Sequence, residues 1–167
     1  MSTKIKVIKY LLLFTYLLLG IVLVFEASLP AEVSSSHSGA VSDAVQDVTE
    51  VVGADKLTNT IEQNLKEFNT FIRKGIGHFG AFFVLAVLGT LTIGLFNSSK
   101  VSTIAISLLT GVGFAILTEA IQVTVRGRYG CFDDVLLDSI GYFIGFVITA
   151  VVYGIFALVK RSRLKRA

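Results

Sequence analysis

The chain has 167 residues, of which 53% are hydrophobic and only 16% charged, with a net charge of +3. A soluble domain usually carries about 25% charged residues, so this balance argues against a water-exposed globule. One cysteine, Cys131, excludes an internal disulfide framework, and the modest charge points to no nucleic-acid partner.

The apolar residues fall in four long blocks, each near the roughly 20 residues a helix needs to cross a bilayer. The spacing predicts spans over about Ile5 to Phe25, Gly77 to Phe96, Val101 to Val125 and Asp134 to Val159. Lipid offers the backbone no hydrogen-bond partners, and these blocks are too uniformly apolar for alternating barrel strands. The expected fold is therefore all-α: a single domain over 1–167, a bundle of four transmembrane helices with an external linker over 26–76.

The first span also fits a signal peptide, with basic residues ahead of an apolar core. Its length, and the lack of a clear small-residue cleavage site directly after it, favour a retained helix. Basic residues gather at both ends: Lys4, Lys6 and Lys9, then Lys160, Arg161, Arg163, Lys165 and Arg166. The positive-inside rule puts such flanks in the cytoplasm, which an even number of spans allows. The expected topology is multi-pass with both termini in the cytoplasm and with the linker and the Arg126–Asp133 turn outside.

In the linker, Ser34 to Gly39 reads as a loop, with His37 a loop residue without a role. Two amphipathic helices follow, carrying Val41, Ala44, Val45, Val48 and Val52, then Leu57, Ile61, Leu65, Phe68 and Ile72. Gly53 separates them and Asp55 is the expected N-cap of the second. They either pack on the bundle or lie on the outer surface as a lid.

The polar residues of the spans gather at the outer end. Glu119, Gln122 and Arg126 fall within about 60° of one another at 100° per residue, and Glu119 lies about 9 Å inside its helix end. Asp134, Asp138, Gly141 and Gly145 form a second stripe, whose GxxxG suits close helix approach. Arg73, Lys74 and His78 enter the second span from the same side, and Glu26 closes the first at that level. Charge at such depth is costly and marks a candidate site.

Several chemistries are open to this set. It can be an ion-pair network that holds helices together. Arg73, Lys74, Arg126 and Arg128 can bind an anionic headgroup, and Gln122, Asp133 and Asp134 are further candidates for ligand binding. His78 and Glu119 can share a proton as catalytic acid and base, with Asp138 orienting one of them. Asp133, Asp138 and Glu119, with His78, can hold a divalent cation as cofactor. No HExxH, CxxC or phosphate-loop motif chooses among them.

Three stretches resemble the VanZ-like membrane proteins, whose founding member is linked to teicoplanin resistance. They are FEASLPAEVSSSHSGAVS, RKGIGHFGAFFVL and EAIQVTVRGRYGCFDDVLLDSIGYFIG, most specifically through Lys74, His78, Phe79, Glu119, Gln122, Arg128, Gly141 and Gly145. Either Asp133 or Asp134 corresponds to a further polar position of the family. The resemblance implies a compact multi-helix protein of the cell envelope with a link to glycopeptide susceptibility. The expected partners are membrane lipids and a lipid-linked cell-wall intermediate, bound in an outward-facing polar pocket. The alternatives are an enzyme acting on such a lipid and, less favoured for want of an internal repeat, a small transporter. The oligomeric state is left open.

Overall fold

The computed structural model describes residues 3–164; Lys165 and Arg166 of the basic C-terminus lie outside them. The described residues are helical, with no strand among them. Six continuous helices follow in order: α1 Thr3–Ala27, α2 Ala31–Val51, α3 Asp55–Gln63, α4 Leu65–Phe96, α5 Lys100–Thr124 and α6 Phe132–Leu164. Four of them, α1, α4, α5 and α6, are long and apolar enough to cross a membrane.

The spans hold together through a small core of Phe82, Leu85, Ala86, Ala115, Tyr142 and Phe146. Tyr16, Leu19 and Leu23 of α1 pack against it. Large apolar side chains elsewhere face outward, among them Phe14, Ile21, Leu109 and Phe143. In water that distribution would be unfavourable, but against lipid tails it costs nothing, and inside the bundle small and polar residues join the aromatic and aliphatic core.

Helices α4 and α6 run parallel and share the largest interface. Their closeness depends on Gly141 and Gly145. A Cβ on Gly141 would collide with the Phe79 carbonyl oxygen, and one on Gly145 would come 2.5 Å from the Phe83 carbonyl oxygen. At the far end from the linker, Lys9 Nζ lies 3.7 Å from the Phe96 ring centroid and Tyr10 meets the same ring edge-on. The start of α1 thus sits beside the end of α4, so these two spans are antiparallel.

The structure corrects the linker in three places. Ser34 to Gly39 is not a loop but lies inside α2. Serine hydroxyls there bond back to the helix, Ser36 Oγ to the Val33 carbonyl and Ser38 Oγ to the Ser34 carbonyl, so the helix keeps residues that alone would favour a turn. The N-cap of α3 is Ala54, not Asp55. The second stripe is broken at Asn64, and its later half opens the second span, which starts at Leu65 instead of near Gly77.

The amphipathic face of α2 also behaves differently from a core-facing stripe. Val41, Val48 and Val52 are exposed, whereas Ser42 and Thr49 are buried. The α2–α3 contact is polar, with Thr58 Oγ1 donating to Thr49 Oγ1 at 3.0 Å. From α3 and α4, Ile61 and Ile72 are buried.

Candidate functional site

The linker end of the bundle collects most of the polar side chains named above. Between Ile72 and Gly80, α4 is π-helical. Such widened turns recur at functional sites, and here the turn carries Arg73, Lys74 and His78. It lies alongside the first turns of α6, and two pairs form at one sequence separation of 60 residues. Lys74 Nζ donates to Asp134 Oδ1 at 2.8 Å, and one turn deeper His78 Nδ1 lies 3.1 Å from Asp138 Oδ1. Lys74 is 39% exposed, whereas the side chains of His78 and Asp138 are 12% and 1% exposed.

Helix α5 brings the third component. Glu119 is buried, and Gln122 one turn on donates from Nε2 to Glu119 Oε1 at 2.8 Å. The Cys131 backbone N–H donates to Glu119 Oε2 at 2.9 Å. Both Glu119 oxygens are therefore held by neutral donors. One donor atom each from His78, Glu119 and Asp138 lie within 4.8 Å of one another.

The turn after α5 places Arg128. Gly127 adopts φ 75°, a left-handed conformation that glycine tolerates best, and the chain reverses there. Arg128 then reaches back: Nε and Nη2 donate to Gln122 Oε1 at 3.1 and 2.7 Å, and Nη1 donates to the Glu26 and Leu29 carbonyls at 3.2 and 3.5 Å. One guanidinium thus ties the end of α1 to the end of α5. Burial lowers its proton affinity; nearby Glu119 opposes this, Arg73 adds to it and Glu26 opposes it in turn. A guanidinium remains charged throughout.

A cavity of about 300 Å³ opens between α1, the first half of α2, α4 and the ends of α5 and α6. Leu19, Val22 and Leu23 give it an apolar wall. Arg73, His78, Gln122, Arg128 and Asp138 give it a polar one. His37 also lines it, with Nδ1 3.0 Å from Glu26 Oε1. The helical phase of α2 turns this histidine to the cavity, which a loop reading conceals. Among the described residues neither Arg73 nor Arg128 has a carboxylate partner in ion-pair contact.

Not every predicted residue joins. Arg126 is exposed, because α5 ends at Thr124 and Val125 turns extended, so the helical phase that aligned it with Glu119 no longer applies. Asp133 is exposed in the first turn of α6, whereas Asp134 is buried and bonded to Lys74. The structure thereby separates the two aspartates that sequence alone left equivalent. The Cys131 N–H and the Glu26 and Leu29 carbonyls were missed, since backbone groups leave no residue-type signal.

Fold and site together define a polytopic helical membrane protein with a buried histidine–carboxylate cluster at one end of its bundle. The VanZ/LLP1 family matches the chain over residues 11–153, and the chain belongs to that family. No curated protein and no solved structure matches it.

Proposed function

We propose that the chain is a binding protein of the bacterial plasma membrane, taking the anionic headgroup of an envelope lipid into the cavity at the linker end. The observation that carries this reading is the pairing of two walls: aliphatic residues of α1 on one side, and two cations without carboxylate contacts, Arg73 and Arg128, on the other. A headgroup with its first methylenes needs both. Arginine matches phosphate and carboxylate oxygens with parallel N–H donors. Arg128 is held by four donated bonds, to Gln122 and to the Glu26 and Leu29 carbonyls, so it offers a fixed charge and a single remaining N–H, and the parallel donors fall to Arg73.

The topology that goes with this reading has both termini in the cytoplasm and the cavity outward. Basic flanks support it. The bound component is then an anionic, lipid-linked cell-wall intermediate or a related lipid, and retaining it at the surface alters susceptibility to glycopeptides such as teicoplanin.

The test is native mass spectrometry of the chain purified from its membrane, with lipid identification of whatever co-purifies. Wild type retains an anionic lipid species; the double variant Arg73→Ala, Arg128→Ala loses it at least tenfold at equal helicity. Equal retention by both sinks the reading. Expression of each form in a teicoplanin-susceptible Gram-positive host then tests the consequence: only the wild type shifts the inhibitory concentration.

A further inference from the structure

We propose that His78, Glu119 and Asp138 form a binding site for one divalent transition cation, with Zn²⁺ as the test ion. This goes beyond the headgroup reading and does not depend on it.

The donors come from three different spans, α4, α5 and α6, and converge with one ligand atom each within 4.8 Å of one another. At metal–ligand bonds of about 2.1 Å, tetrahedral donors lie about 3.4 Å apart, so closure asks for at most about 1.4 Å of side-chain adjustment. His78 Nδ1 and Asp138 Oδ1, at 3.1 Å, already subtend about 95° at an ion bonded to both. That angle lies between octahedral and tetrahedral geometry. The ion replaces the proton between these two atoms, which is released to solvent.

Two independent features point to a ligand. Asp138 is fully buried, and its Oδ2 has no hydrogen-bond partner, a lack that an ion held by both oxygens of this carboxylate would relieve. An orphaned carboxylate oxygen is expensive in a protein interior and more so within a bilayer. The second feature is charge. Among the described residues no lysine or arginine forms an ion pair with Glu119 or Asp138, and Lys74 is already committed to Asp134. One divalent ion cancels both carboxylates where a single imidazolium cannot.

The surroundings fit a metal site. Gln122 and the Cys131 N–H fix the Glu119 carboxylate, each taking one lone pair of an oxygen that has another to give. His78 and Asp138 line the cavity, so a fourth position is open to a ligand there. An imidazole among carboxylates favours Zn²⁺ or Fe²⁺ over Mg²⁺ and Ca²⁺.

The experiment uses the full chain in lipid nanodiscs, stripped with chelator, reloaded with Zn²⁺ alone and analysed for bound metal. About one Zn²⁺ per chain is expected. His78→Ala and Glu119→Gln each weaken binding at least tenfold, while Glu50→Gln, an exposed carboxylate outside the cavity, leaves it unchanged. Should the core variants fail to fold, X-ray absorption of the zinc-loaded wild type decides: one imidazole and otherwise oxygen ligands support the site, whereas a sulfur ligand from Cys131 overturns it. Absence of stoichiometric zinc in the wild type, or loss of zinc in Glu50→Gln, also overturns it. Zinc binding with no co-purified lipid would retain this site and remove the headgroup reading; the reverse outcome would do the opposite.

Discussion

His78 Nδ1 and Asp138 Oδ1 meet at 3.1 Å between α4 and α6, one turn below the Lys74–Asp134 pair at the same sequence separation. The register of two parallel helices therefore decides both contacts at once. The shallower pair is partly solvated and the deeper is closed off, so the two should differ sharply in energy.

Asp138→Ala removes the buried partner of His78 and the deepest carboxylate together. Breaking a buried pair costs about 3–5 kcal/mol when a charge is stranded. The expected result is a large fall in the thermal unfolding midpoint in detergent micelles, with Asp138→Asn falling less because its amide keeps the shape and a hydrogen bond. Unchanged melting of Asp138→Ala would show that the pair carries no stability.

Lys74 and Asp134 should couple weakly. Lys74 is 39% exposed, and solvent-accessible ion pairs contribute up to about 1 kcal/mol. A double-mutant cycle with Lys74→Met and Asp134→Asn measures that coupling. A value matching the His78–Asp138 pair would contradict the depth argument.

Gly141→Leu should separate α4 from α6, because its Cβ would run into the Phe79 carbonyl. Overpacking of this kind costs typically about 1–3 kcal/mol, and backbone contact puts this site at or above the upper end. Gly154→Leu is the control, since a Cβ there meets nothing within 4 Å. Comparing their unfolding midpoints checks the packing; equal loss in both would disprove it.

Arg128→Lys should not behave as a conservative change. An ammonium cannot reproduce the fork that joins Gln122 to the carbonyls of Glu26 and Leu29. The turn that follows should loosen, raising the rate at which maleimide alkylates Cys131. An unaltered rate would mean that the fork does not hold the turn.

Cys131 also reports orientation. It lies in the turn before α6 and is partly exposed. With the linker outside, an impermeant thiol reagent added to intact cells should label it. Labelling only after permeabilisation would reverse the topology.

Much of the bundle was legible in the chain because lipid imposes one simple demand, about 20 apolar residues per helix. The third span and the head of the fourth were readable to within about two residues. The start of α4 was not, since Leu65 to Ile76 carries charges that end the apolar run, so its stripe read as part of a separate linker helix and not as the head of the span. In the cluster, Glu119, Gln122 and Asp138 were predictable from phase on their own helices. Arg126 was not, because phase ends where the helix does.

By itself the sequence determined the all-helical membrane fold, the family, and the concentration of polar groups at one end of the bundle. The fold and the polar end follow from local properties, run length, periodicity and residue type, and the family from the resemblance of three stretches. Only the tertiary structure decided which groups meet. It chose Asp134 over Asp133, turned Arg128 inward and Arg126 outward, and brought His78 to Asp138 with Glu119 close by. The physical reason is that such contacts depend on how far one helix slides and rotates against another. That slide is set by the glycine approach of α6 to α4, a relation between distant segments that no local pattern contains.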